Sequence, residues 1–129
     1  MRSPVWIERE ALQLLHGAAL ARFGGRPGLC DEAMLKSAPA RPRSAFHYDA
    51  ARNLAALAAA YAFGLVRDHP FTDGNKRAAL LACGLFLELN GRKLTATPLD
   101  AYAAVVALAD GTLGEAGFAQ WVRTHSSKA

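Results

Sequence analysis

The sequence predicts an all-α fold: a compact bundle of about six helices with two buried central helices. Three observations carry this prediction. Apolar residues recur at helical spacing in one segment after another, and no stretch reads as a strand longer than a few residues. Two long segments are small or apolar on nearly every face, the pattern of helices surrounded by other helices. At 129 residues, with no repeat and no linker, the chain reads as a single domain over residues 1–129, long enough to bury a core without staples.

From Glu8 to Phe23 the residues Ala11, Leu12, Leu14, Leu15, Ala18, Ala19 and Phe23 share helical spacing, and Gly24-Gly25 stops the run. Asp31 is a good N-cap for a short second helix through Met34 and Leu35. That helix should end by Ala38, because Pro39 disfavours helical geometry in the residue before it. Residues 39–48, PARPRSAFHY, then read as an irregular loop or a short hairpin. Ala50 to Arg67 is alanine-rich, with Leu54, Leu57, Tyr61 and Leu65 as larger knobs, and its small residues suit close packing inside the bundle. Asp68-His69-Pro70 ends it. Gly74 to Leu89 is the second interior helix: AALLACGLFL is apolar nearly all round, and Asn90-Gly91 closes it. Thr97-Pro98-Leu99-Asp100 supplies an N-cap, a proline at the first helical position and an acid at the third. Thr112-Leu113-Gly114-Glu115 should do the same for a last helix that ends near His125.

Composition narrows the function classes. Apolar residues make up 52% and charged residues 20%, which fits a soluble globular protein rather than a disordered one. The longest uncharged stretch, Asn53 to Val66, is too short to span a membrane, so no membrane partner is expected. The opening MRSPVWIERE has no apolar h-region, which predicts no secretory signal and a cytoplasmic location. Cys30 and Cys83 lack metal-ligand spacing and read as buried free thiols in a reducing compartment. The net charge of +4 permits an anionic partner. Basic residues cluster only at Arg41/Arg43, Lys76/Arg77 and Arg92/Lys93, whereas a nucleic-acid binder shows a continuous stripe with aromatics interleaved. A DNA-binding bundle is the weakest reading, and no direct nucleic-acid partner is expected.

The chemistry concentrates in residues 69–77, HPFTDGNKR, which span the loop between the two buried helices and the first turn of the second. The opening amides of a helix have no internal partners, and the dipole there favours negative charge. Gly74 lets a ligand approach the backbone closely, and Asn75, Lys76 and Arg77 surround the same turn, which together make a phosphate site. Lys76 supplies a point charge and Arg77 a bidentate grip. Asp73 would repel a phosphate unless a cation lies between them. Magnesium uses one or two carboxylates plus phosphate oxygens, so Asp73 is the candidate Mg²⁺ ligand. His69, at the mouth of the loop, is the candidate base for a hydroxyl proton, since histidine is the side chain that titrates nearest neutrality. Phe71 should turn inward and pin the loop to the core.

Each residue also has a plain structural reading. A histidine after a helix is usually a C-terminal cap, and His16, His47 and His125 read as caps or surface residues. An aspartate before a helix is usually an N-cap. Lys-Arg in a first turn opposes the dipole and costs a few tenths of a kcal/mol, roughly, unless an anion is present. Those misplaced cations favour the functional reading.

HPFTDGNKR resembles the signature of the Fic/Doc superfamily, H-[PI]-F-x-[DE]-[GA]-N-[GK]-R, and matches it at every fixed position. Lys76 stands where the AMP-transferring Fic branch has glycine and the death-on-curing (Doc) branch has lysine. GGRPGLCDEAMLKSA, ARNLAALAAAYAFGLVRDHPF and LELNGRKL are also similar to that branch, over a core of about residues 6–125. The resemblance implies that His69 takes a proton from a target hydroxyl, Asp73 holds Mg²⁺, and Gly74, Asn75, Lys76 and Arg77 bind the phosphates of ATP. It implies a toxin that transfers the γ-phosphoryl group to a Ser/Thr hydroxyl of a translation protein of the elongation factor Tu type. It also implies neutralisation by a separate Phd-type antitoxin. Many Fic proteins carry their own inhibitory helix, [ST]-x-x-x-E-[GN]; Thr112 to Glu115 is one residue too short for it and no other Ser or Thr fits, so inhibition in trans is expected. Pro39 departs from the branch, which has an apolar residue such as leucine there, and bears on the second helix and the adjoining flap region. The alternatives are a Fic-type AMP transferase and a catalytically weak module that binds an antitoxin.

Overall fold

The computed structural model describes residues 3–48 and 53–129. The chain runs α1 (Arg9–Phe23), α2 (Glu32–Tyr48), α3 (Leu54–Asp68), α4 (Asn75–Leu89), β1 (Arg92–Leu94), α5 (Pro98–Asp110), α6 (Glu115–Thr124) and β2 (Ser126–Lys128). β1 and β2 pair antiparallel, Arg92 opposite Lys128 and Leu94 opposite Ser126. The predicted all-α bundle is therefore present, with one three-residue ribbon added. Among the described residues no helix is long and apolar enough to cross a membrane.

Alanine decides the middle of the molecule. In α3 Ala55, Leu57, Ala58, Ala59, Ala60, Tyr61, Ala62, Gly64 and Leu65 are all buried, so neighbours approach on every side. Helices α2, α4 and α6 pack around it. At Gly64 a Cβ would stand 3.3 Å from Cδ of Arg41, so α2 and α3 approach closely there and a larger residue would have to push the Arg41 side chain aside. α4 is the second interior helix, burying Ala78, Ala79, Ala82, Cys83, Phe86 and Leu87. The buried Tyr61 hydroxyl accepts from Ile7 N–H at 2.8 Å and tethers the segment before α1 to the centre. Burial pushes that hydroxyl's pKa up to about 12. α3 starts on an Asn53 N-cap, whose Oδ1 accepts from Ala56 N–H at 2.8 Å. The expected start at Ala50 falls on residues 50–52, outside the described residues.

Three expectations are corrected. α2 does not end at Ala38 but runs on to Tyr48, with Pro39 and Pro42 inside it, so residues 39–48 are helix rather than loop or hairpin. An interior proline costs roughly 3 kcal/mol of helix propensity. Tertiary contact overrides that cost: Leu35 and Ala38 are buried, Ala45 and Phe46 pack on the core, and Arg41 reaches Glu115 of α6 at 3.2 Å. At the other end of the chain, α6 is not capped by Thr112. Its N-cap is Gly114, and the Thr112 hydroxyl bonds Asp110 instead. Finally, Cys83 is buried as expected but Cys30 is exposed, because it lies in the open α1–α2 connection. The N-cap at Thr97, which accepts from Asp100 N–H at 3.2 Å, and the proline after it are as predicted.

Candidate active site

The two interior helices meet at residues 69–74. α3 stops because His69 turns left-handed, at φ 52°, while its N–H still bonds Leu65 O at 3.2 Å. It is the only non-glycine residue with positive φ among the described residues, a place where glycine is the usual choice. The cap reading of His69 is thus correct as far as its backbone goes, and the imidazole remains exposed for other work.

Phe71 turns inward as expected. It is 2% exposed and lies flat against His16, with ring centroids 3.7 Å apart. Asn75 locks the same loop from the other side: its Oδ1 accepts from Phe71 N–H at 3.1 Å and its Nδ2 donates to Phe71 O at 2.9 Å. The Asn75 side chain is therefore buried and fully engaged, which leaves its main-chain N–H for a ligand. The α1–α2 connection supports the loop along its length, with Cys30 N–H bonding Pro70 O at 2.7 Å and Thr72 N–H bonding Gly28 O at 3.0 Å.

Gly74 is the N-cap of α4 at φ 80°, a conformation that would strain any residue with a Cβ. Beyond it the amides of Asn75, Lys76 and Arg77 open the helix without intrahelical acceptors, and no acid occupies the first turn. Asp73 is exposed. Its Oδ2 accepts from Arg26 N–H at 3.1 Å and its Oδ1 from Gly74 N–H at 2.9 Å. Those two main-chain donors, Arg26 first, hold its carboxyl below the usual carboxylate range, so it is anionic at neutral pH.

These groups share one cavity of 440 Å³, lined by His69, Asp73, Gly74, Asn75, Lys76 and Arg77 together with Phe23, Gly24, Val66, Tyr102 and Ala109. All six residues singled out from the sequence thus meet at one hollow. Among the described residues no three His, Cys, Asp or Glu side chains converge into a cage that could hold a metal by itself. A single anionic carboxylate beside an open helix start fits an ion that takes its other oxygens from phosphate and water, as Mg²⁺ does.

Three contributors escape the motif. His16 was read as a cap or surface residue, yet it is 6% exposed and its Nε2 donates to Asp73 O at 2.6 Å, which fixes the proton on that nitrogen. The signal was available: His16 shares a helix face with Leu12 and Ala19, both buried. Tyr102 and Phe23 come from α5 and the end of α1, and nothing local marks them. His125 is the C-cap of α6, as read.

A sequence model of the Fic/DOC family matches residues 6–87, well over half of the chain. The chain belongs to the Fic/DOC family. Its Fic/DOC relatives include Protein kinase doc of Escherichia phage P1, 34% identical over 110 residues that cover 85% of this chain and 81% of that protein. Toxin Doc of Mycolicibacterium smegmatis is 38% identical over 92 residues, covering 70% of this chain and 68% of that protein. Both relatives carry the Doc name, which places the chain in the Doc branch of the family.

Proposed function

We propose that this chain is the toxin of a toxin–antitoxin pair and acts as a protein kinase, moving the γ-phosphoryl group of ATP to a Ser/Thr hydroxyl of a translation protein. The observation that carries the reading is the convergence of His69, Asp73 and the start of α4 on one cavity. In this mechanism the His69 imidazole takes the proton of the target hydroxyl. The hydroxyl oxygen bonds to the γ-phosphorus, the bond from that phosphorus to the β–γ bridging oxygen breaks, and ADP leaves. The amides of Asn75, Lys76 and Arg77, with the Lys76 and Arg77 side chains, hold the phosphate oxygens and offset the charge that develops on them. Asp73 would hold Mg²⁺, which neutralises phosphate charge when bound. Lys76 favours γ- over α-phosphoryl transfer, because its side chain brings bulk and charge to the place where AMP-transferring relatives keep glycine. A translation factor of the Tu type is the proposed target. A Phd-type antitoxin acting in trans in the cytoplasm is the proposed inhibitor, consistent with the lack of an internal [ST]-x-x-x-E-[GN] helix in this sequence.

Incubation with the target and either γ-labelled or α-labelled ATP tests the reading. Label should pass to the target only from the γ position, and transfer of α-label alone would replace the kinase with an AMP transferase.

A further inference from the structure

Arg77 differs from the cation beside it in how it is held. Its Cζ lies 3.9 Å from the ring centroid of Phe23 and 4.2 Å from that of Tyr102. Phe23 closes α1, Tyr102 belongs to α5 and Arg77 to the first turn of α4, so the contact joins three separate elements at the wall of the cavity. Among the described residues the ion pairs join Arg9 to Glu32, Arg41 to Glu115 and Arg43 to Glu8, and Arg77 takes part in none of them. Lys76, one residue earlier, is exposed and has no ring against it among the described residues.

A guanidinium is planar, with five N–H donors in its plane and none on its faces. A ring stacked on a face of that plane leaves the donor edge open. Such contact also removes rotamer freedom from a long side chain before any ligand arrives, so less ordering is left to be done on binding. Phe23 is 50% exposed, so its ring meets the guanidinium at the edge of solvent, where cation–π contact still contributes. Lys76 is thus a point charge with no ring beside it among the described residues, and Arg77 is a fork with two rings against it.

We propose that Phe23 and Tyr102 are positioning residues: an aromatic clamp that presets the Arg77 guanidinium, donor edge toward the cavity, to receive phosphate oxygens of the nucleotide. This rests on the reading of the cavity as a nucleotide site. Both rings act through Arg77, so their effects should vanish when Arg77 is gone.

The test is titration of the full chain and its variants with ATP and Mg²⁺, with phosphoryl transfer measured in parallel. Phe23→Leu and Tyr102→Leu should each weaken ATP binding about tenfold, and Tyr102→Phe, which keeps the ring, should stay within about twofold. In the Arg77→Ala background either leucine substitution should add less than about twofold, since coupled residues do not add. Equal losses with and without Arg77, or no loss from either leucine variant, would overturn the clamp. Phe23 is half exposed, so its variant keeps the test valid if a change at Tyr102 perturbs folding. Wild-type protein that binds ATP without transferring its γ-phosphate would end the kinase reading alone, and the clamp would still be decided by the binding constants. Wild-type protein that does not bind ATP would overturn both.

Discussion

The ring of His16 lies flat on the ring of Phe71, centroids 3.7 Å apart and planes within 4°. The same histidine donates from Nε2 to Asp73 O at 2.6 Å. One buried side chain of α1 therefore supports the loop at both its inward anchor and its acid, which makes α1 part of the site although it carries none of the motif.

His16→Ala should leave a void beside Phe71 and an unpaired carbonyl at Asp73. A loss of about 2–4 kcal/mol in a urea unfolding curve is expected from these two effects together. Nucleotide affinity should fall with it even at temperatures where the variant is fully folded. An unfolding midpoint equal to wild type would show that the stack contributes nothing.

His69 is the cap of α3 and, in the proposed mechanism, the base, two roles that a glycine can separate. His69→Gly suits the left-handed cap and should raise stability by up to about 1 kcal/mol. Transfer activity should drop by roughly 10²–10⁴ as the base is lost. A thermal melt and a γ-label assay on the same sample check both halves. Retained activity would remove His69 from the chemistry.

Pro39→Ala restores a helical N–H in α2 and improves local propensity, while the unfolded chain becomes looser. The balance should be a stabilisation of about 1–2 kcal/mol. Chemical denaturation reads this directly, and a destabilised variant would mean that the pyrrolidine ring itself packs usefully.

The two thiols should behave differently. Cys83 is fully buried and desolvation pushes its pKa up to about 12, whereas Cys30 is exposed. A thiol reagent at mildly alkaline pH should titrate one cysteine in the native protein and two in denaturant. Two fast-reacting native thiols would contradict the packing of α4.

Much of this molecule can be read directly from its residues. The central pair of helices followed from alanine and leucine patterning, and the candidate site was named from residues that are adjacent in the chain and line one cavity. What escaped depends on contacts between distant segments. Pro39 is a helix stop by local rule, but the core contacts of Leu35, Ala38 and Phe46 keep α2 going beyond it. Thr112 has the right spacing for a cap, yet α6 begins two residues further on with Gly114 at the N-cap, and the Thr112 hydroxyl donates to Asp110. Tyr102 and Phe23 reach Arg77 from α5 and α1, a meeting that no spacing within one segment encodes.

The alanines of α3 have a consequence for the chemistry at its end. A methyl group has no rotamer to choose, so where α3 presents Ala58, Ala59, Ala60 and Ala62 its neighbours must fit a fixed surface. His69 caps the end of that helix, so the place of its Cα is tied to the middle of the molecule. A larger side chain at those alanines would therefore shift the neighbouring helices and, with them, the loop that begins at His69.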